Sequence, residues 1–324
     1  MRIGYFGDGP WATIALEKLA PRDDVEIAFI VPRYHSLDDG LTVWAERLDV
    51  PLKIVKNVNY QDFVDWVRQQ KVDLLVSMSF DQIVRGSIRD TAPLGFINCH
   101  AGALPFYRGR NTLNWAIING EERFGVTVHH IDDGIDTGDI IIQRFDDISP
   151  TDDYGTILTK AETLCAETLV EAIVGIAADN AQRTEQASIH PVGFYCGRRR
   201  PGDEWIDWSW TSERIHNFIR GITSPGPGAR TRKKEKEIAL LRSGLIENAP
   251  AYLGTCGEVI GIDSDGIVVK TGDTTLRLLS VAEIDIHGQL GEKKIPRYAI
   301  GTRFGAEARE GSGLGLSQAD GAAK

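Results

Sequence analysis

The feature that most constrains this chain is an alternation. Short apolar runs at residues 2–6, 25–31, 72–78 and 96–100 are separated by segments whose apolar residues recur at helical spacing. A strand covered on both faces reads as a continuous apolar run, and an intervening helix lets the chain cross over to a parallel neighbour. The spacing predicts helices over 11–19, 41–48, 60–70, 113–119 and 154–178, with further strands over 52–55, 125–131 and 140–145. The expected fold class is therefore α/β, with a Rossmann-like, mostly parallel sheet covered by helices on both faces.

Beyond about residue 180 the pattern changes. A helix is expected over 212–221, the run Pro225-Gly226-Pro227-Gly228 interrupts the chain, and short strands follow over 238–241, 257–262, 266–270 and 274–281 without helices between them. Such a segment folds as a smaller β-rich, OB-like barrel or sandwich. Glycine, alanine and serine dominate from Gly305 onward and offer little apolar surface to offset the entropy of ordering, so a disordered tail is expected at 305–324. The domain reading is a large α/β domain at 1–190, a linker with a helix at 191–224, and a C-terminal β-rich domain at 225–304.

Charge narrows the partners. Lys and Arg number 36 against 46 Asp and Glu, a net charge of −10, which argues against a general polyanion-binding surface while leaving room for a local arginine cluster. Cys99, Cys165, Cys196 and Cys256 are scattered, with no CxxC pair to suggest structural zinc, and fit a reducing compartment. The opening residues lack the pattern of a secretory leader, and no run approaches the roughly twenty apolar residues of a membrane span. A cytoplasmic protein with no membrane partner is expected.

The stretch INCHAGALPFYRGRN, residues 97–111, ends an apolar run with three candidate reactive side chains. Successive strand residues point to opposite faces, so Asn98 and His100 project together while Cys99 turns into the sheet packing as a small hydrophobe. In open α/β sheets, sites form beyond the carboxyl ends of strands, where His100 is expected. The segment DDGIDTGD, residues 132–139, carries four carboxylates in eight residues. It reads as a solvated turn, as a calcium loop that lacks the downstream bidentate glutamate, or as a turn folding one aspartate inward toward Asn98 and His100. Gly7-x-Gly9-x-x-Ala12 satisfies a dinucleotide fingerprint. However, Pro32 and Arg33 stand where the ribose-binding acid belongs, and Pro10 and Trp11 crowd the pyrophosphate position, so a substrate-facing or structural turn is the better reading.

Together these segments resemble the folate-dependent formyltransferases. The family pattern runs N-x-H at a strand end, a loop of the type S-L-L-P-x-Y-R-G, a G-V-T strand, and D-x-G-x-D-T-G. This chain has Asn98-x-His100, then GALPFYRG at 102–109, GVTVHHID at 125–132 and DGIDTGDII at 133–141. Order and spacing match, with Gly102-Ala103 departing from the usual Ser-Leu. The resemblance implies a formyltransferase core, catalysis by Asn98, His100 and Asp136, and 10-formyltetrahydrofolate as formyl donor, with no metal. A pterin slot is expected beside Phe80, Ile83 and Val84, with backbone groups of Asp132, Asp133 and Gly134 supplying hydrogen bonds. An amine attacks the formyl carbon in this chemistry, Asn98 and His100 stabilise the oxyanion, and Asp136 either orients His100 or accepts the amine proton. Partial burial is expected to raise the Asp136 pKa.

For the acceptor, YRGRNTLNWAIINGE at 107–121 and FYCGRRRPGDEWIDW at 194–208 are most similar to the nucleotide-sugar N-formyltransferases, including the domain acting on UDP-4-amino-4-deoxy-L-arabinose. That implies an amino sugar carried on a nucleoside diphosphate, with Asp8, Trp11, Tyr107, Arg108, Arg110 and Asn111 as expected acceptor-binding residues and Arg198, Arg199 and Arg200 as an alternative phosphate clamp. Methionyl-tRNA formyltransferase is the main rival. The acidic balance disfavours tRNA, although RTRKKEKE at 230–237 is one basic patch. The same motifs also accommodate an amino acid or hydroxylamine siderophore precursor as acceptor, or a folate-binding relative without turnover. The C-terminal domain could in addition build a homodimer.

Overall fold

The structure, a computed structural model, describes residues 1–35 and 39–305, and the chain divides into two compact units, residues 1–201 and from Gly202 onward. In the first unit, strands β1 (Arg2–Gly7), β2 (Glu26–Pro32), β3 (Leu74–Met78), β4 (Phe96–His100), β6 (Arg123–His130) and β7 (Ile140–Asp147) form one sheet in the order β2-β1-β3-β4-β6-β7. The first four are parallel, β6 pairs antiparallel with β4, and β7 pairs antiparallel with β6. For β7 the reason is connection length: residues 131–139 are too few for a helical crossover, so it can only return beside β6 as a hairpin partner. Between β4 and β6 lies the two-residue β5 (Arg108–Gly109), which pairs in parallel with β8 (Tyr195–Cys196).

Helices α1 (Gly9–Leu19), α2 (Asp39–Leu48), α3 (Gln61–Gln69), α4 (Gly86–Arg89), α5 (Thr112–Ile118), α6 (Tyr154–Ala177) and α7 (Gln186–Ile189) complete this unit. One sheet face is covered by α1, α2, α5 and α6 and buries Ile3, Tyr5, Val76, Ile97 and Val128. The other carries Phe6, Phe29, Phe96 and Leu75 beneath α3 and α4. Each fully buried large side chain contributes about 1.5–3 kcal/mol, so these two layers hold the strand ends rigid. Helix α6 starts at a reciprocal cap between Asp153 and Thr156, and its stripe Ile157, Ala161, Cys165, Leu169 and Ile173 recurs every fourth residue and faces the sheet.

The strand expected over 52–55 does not form; only Leu52 makes an isolated bridge, to Ile30. β2 is the sheet edge, and Ile54 beyond it is half exposed, so an apolar-looking tetrapeptide gains little by extending.

In the second unit, α8 (Ser212–Ile222) packs on a five-stranded antiparallel sheet of β9 (Ala229–Lys233), β10 (Lys236–Leu245), β11 (Val259–Ile262), β12 (Ile267–Lys270) and β13 (Thr275–Glu283), in the order β11-β12-β13-β10-β9. The helix expected within a linker thus belongs to this unit, because its buried face of Ile215, Phe218, Ile219 and Ile222 needs the sheet as cover. The tail expected at 305–324 lies, apart from Gly305, outside the described residues. Basic residues of the 230–237 patch meet acids: Arg232 pairs with Glu237 at 3.0 Å and Lys236 with Glu283 at 3.0 Å.

His216 on α8 is bonded to Ser243 Oγ at 2.9 Å, and burial, helped by the Arg220 charge, pushes its pKa down to about 4. The unfolded chain takes up this proton at a higher pH than the folded one, so stability falls as pH drops from about 6.5 to about 4 and is unaffected above that window. Screening by solvent reduces the effect to roughly 2 kcal/mol. Urea unfolding at pH 7 and pH 4.5 is expected to show a smaller loss in His216→Gln than in the parent chain, and an equal loss would remove His216 as its source.

Candidate active site

Sheet register builds the site. β3 and β4 place Ser77 beside Asn98, and β4 and β6 place Asn98 opposite His129. Residues opposite one another on adjacent strands share a face, so the three side chains form a row across the sheet. Ser77 Oγ donates to Asn98 Oδ1 at 2.9 Å, and Asn98 Nδ2 lies 3.3 Å from His129 Nε2. Two residues further along β4, His100 projects from the same face. Cys99 turns the other way, its Sγ 3.5 Å from the Cys165 carbonyl oxygen in the core.

The loop at 131–139 supplies the carboxylate. Asp132 Oδ1 accepts from Gly134 N at 3.0 Å and from Thr137 Oγ1 at 2.6 Å, which pins the turn and commits the Gly134 N–H inside it. Asp136 then adopts a left-handed backbone, φ 55°, tolerated by aspartate better than by branched residues, and its side chain swings inward. Its Oδ2 lies 3.6 Å from His100 Nδ1 and accepts the Gly109 N–H at 2.9 Å, while Oδ1 lies 3.5 Å from His129 Nε2. Both imidazoles are buried, with relative exposures of 8% for His100 and 2% for His129.

Two glycines make this arrangement possible. A Cβ at Gly102 would sit 2.5 Å from both His100 Nε2 and the Tyr107 carbonyl oxygen, so the residue that departs from the family pattern leaves room for the 2.7 Å hydrogen bond between them. Gly109 has φ 94° and would place a Cβ 2.5 Å from the Cys196 carbonyl oxygen, closing the approach of β5 to β8. The carbonyl of Tyr107 can only accept, so His100 Nε2 carries its proton and Nδ1 faces the carboxylate.

The expectation of a raised Asp136 pKa is overturned. Burial does push it upward, but the charges of His100 and His129 and the hydrogen bonds from His129 and Gly109 outweigh burial and hold the carboxyl well below the usual range. Asp136 is therefore a fixed negative charge at neutral pH.

A cleft of about 720 Å³ opens over these groups. Phe80, Ile83, Val84, Asp132 and Gly134 line it, as do Trp11, Arg110, Asn111, Tyr195 and Arg198. Among the described residues, neither the Arg110 nor the Arg198 guanidinium has a carboxylate partner, and both are exposed to the cleft. Asp8 pairs with Arg33 at 3.1 Å, and Arg33 lines the cleft in its place. Asp133 is turned to solvent and pairs with Arg89 at 3.0 Å. Cys196 also lines the cleft, but burial pushes its thiol up to about 11, so it is neutral and weakly nucleophilic.

Two expected acceptor residues lie elsewhere. The Tyr107 ring faces a second cavity, its hydroxyl donating to Glu121 at 2.5 Å, and only its carbonyl serves the site. Arg108 is buried, spending its guanidinium on Gln186 Oε1 at 3.0 and 2.7 Å and on the Val192 carbonyl at 3.1 Å. A side chain so committed cannot meet a diphosphate. Sequence reading missed Ser77, His129 and Gln186; for the first two the signal is strand register, which becomes visible only once the sheet order is known. Among the described residues, no cluster of histidine, cysteine and acidic side chains is arranged to hold a metal ion.

The formyl transferase family matches residues 35–173, and the formyl transferase C-terminal domain matches residues 199–287. Methionyl-tRNA formyltransferase of Halothermothrix orenii is 32% identical, across 97% of this chain and 100% of its own length; that of Geotalea uraniireducens is 33% identical, across 89% and 91%. Among solved structures, WlaRD, a sugar 3N-formyl transferase crystallised with dTDP and 5-N-formyl-THF, superposes with a TM-score of 0.64 at 20% identity, covering 86% of this chain and 97% of that one. The N-formyltransferase of Helicobacter canadensis, in complex with folinic acid and dTDP-3-aminofucose, gives 0.61 at 21% identity, covering 85% and 98%.

Proposed function

The chain belongs to the formyl transferase family, and from that premise we propose that it moves a formyl group from 10-formyltetrahydrofolate to the amine of a nucleotide-linked amino sugar. The observation that carries the acceptor assignment is the pair of guanidiniums, Arg110 and Arg198, without carboxylate partners in the cleft that holds Asn98, His100 and Asp136. A diphosphate is the natural counter-ion for two arginines lining one cleft, and Trp11 and Tyr195 offer flat faces for a base. The apolar lining at Phe80, Ile83 and Val84 suits the pterin, and the ligands in the sugar-acting structural neighbours agree with a reduced folate donor.

The acceptor amine adds to the formyl carbon, and collapse of the tetrahedral adduct breaks the bond to N10 of the folate. One amine proton ends on N10, so the products are the formamide and tetrahydrofolate. Asn98, whose Oδ1 accepts from Ser77, directs an Nδ2 hydrogen at the developing oxyanion. His100 spends Nε2 on the Tyr107 carbonyl and turns Nδ1 toward Asp136, which holds the ring beside the reacting amine. Asp136, held ionised, stabilises the ammonium as it forms and passes its proton through water rather than acting as a base tuned near neutrality.

A second reading has one observation in its favour: relatives about 30% identical over nearly the whole chain are named methionyl-tRNA formyltransferases. Identity at that level passes on the reaction more securely than the acceptor. Against it stand the net charge of −10 and a basic patch in which Arg230, Arg232 and Lys236 already meet Glu237 and Glu283. The deciding assay offers UDP-, dTDP- and GDP-linked amino sugars and methionyl-charged initiator tRNA with 10-formyltetrahydrofolate, following tetrahydrofolate release by absorbance. Turnover of an amino-sugar nucleotide with tRNA inert is expected, and formylation of the tRNA alone would replace the sugar reading.

A further inference from the structure

Three consecutive residues after β4 are tied to the catalytic group, Tyr107 and Gly109 directly and Arg108 through Gln186. Tyr107 accepts from His100 Nε2 at 2.7 Å, Gly109 N–H donates to Asp136 Oδ2 at 2.9 Å, and between them the Arg108 side chain grips Gln186. Gln186, 2% exposed, then donates Nε2 to the carbonyls of Asp136 at 2.9 Å and Gly138 at 2.7 Å. We propose that Arg108 and Gln186 are positioning residues for the reaction, a buried relay that sets where the Asp136 carboxylate sits between His100 and His129 without either of them touching substrate.

The chemistry of the relay is directional. Arg108 has only donors, and two of them converge on one amide oxygen, so Gln186 must present its NH₂ to the loop and cannot flip. Both receiving carbonyls belong to the turn whose left-handed Asp136 swings the carboxylate inward, so they brace that conformation from behind. Arg108 has no carboxylate partner among the described residues, although a buried guanidinium is costly to leave unpaired. A bidentate grip on a neutral amide is an expensive way to fill space and a good way to lock an orientation.

This inference rests on the formyl-transfer reading of the site. Gln186→Glu tests it in the full chain, because a carboxylate keeps, and strengthens, the bond to Arg108 while turning acceptor oxygens toward two carbonyls that need donors. With whichever acceptor the parent enzyme turns over, kcat is expected to fall about 10- to 100-fold, with KM for donor and acceptor within about twofold, a misplacement effect rather than a binding one. Arg108→Lys, which keeps the charge but loses the fork, is expected to give a smaller fall of the same kind and decides the matter alone if the first variant does not fold. Independently of activity, the ¹⁵N-labelled imidazole signals of both His100 and His129, which face Asp136 from β4 and β6, should move in each folded variant. An unchanged kcat, a fall matched by a rise in either KM, or unmoved imidazole signals would overturn the proposal. A parent enzyme that formylates none of the acceptors would instead defeat the functional reading, and the imidazole signals would still report on the relay.

Discussion

Asp136→Asn is expected to lower kcat for formyl transfer about a thousandfold while leaving the unfolding midpoint and folate binding nearly unchanged. Asparagine keeps the shape of the side chain, so the turn at 131–139, which is pinned by Asp132, should survive. The charge is what disappears. His100 Nδ1 at 3.6 Å and His129 Nε2 at 3.5 Å then lose the carboxylate they face, and the forming ammonium loses its partner. His100→Ala should cost a similar factor, and the double variant little more, because groups that act as one unit are not additive. Steady-state kinetics with circular dichroism as a folding control check this. Activity within threefold of the parent in both single variants would end the assignment of the triad.

The second large effect falls on acceptor binding. Arg110→Ala and Arg198→Ala are each expected to raise the acceptor KM about 10- to 100-fold, the cost of about 1.5–3 kcal/mol for a charge-assisted contact to phosphate, with the folate KM unaltered. Arg108→Ala should look different, reducing the amount of folded protein, since its guanidinium is buried against Gln186 and Val192. Separate titrations with donor and acceptor discriminate the outcomes. If the cleft arginines leave acceptor affinity untouched, the diphosphate reading fails even with the triad intact.

The contrast between Arg108 and Arg110 shows how far residue chemistry carries. Both sit in one short loop and both suit phosphate, and nothing local distinguishes them. The pairing of β5 with β8 decides it by carrying Arg108 inward to Gln186, 78 residues away, and leaving Arg110 at the cleft. The Asp136 pKa departs from its sequence expectation for the same reason. Burial follows from an inward turn, but the two imidazoles that reverse its effect come from different strands, and His129 is opposite Asn98 only because β6 runs antiparallel to β4. In the same way, Leu52 to Val55 have strand-like composition, yet the segment lies beyond the edge strand and leaves Ile54 half exposed.

The order of apolar runs and helical spacings, read along the chain alone, was enough for an α/β sheet and a β-rich second unit, and the resemblance of its motifs for the family, because periodicity and motif spacing are local properties that survive any arrangement of distant parts. So was the separation of Asn98 and His100 from Cys99, which needs only the two-residue repeat of a strand. Tertiary structure decided which charges meet: that Asp136 is shared by two histidines, that Arg108 braces the loop while Arg110 faces the cleft, and that Arg232 and Lys236 of the basic patch meet Glu237 and Glu283. The physical reason is that electrostatic and hydrogen-bond energies depend on distance and burial across strands, and register and sheet order set both.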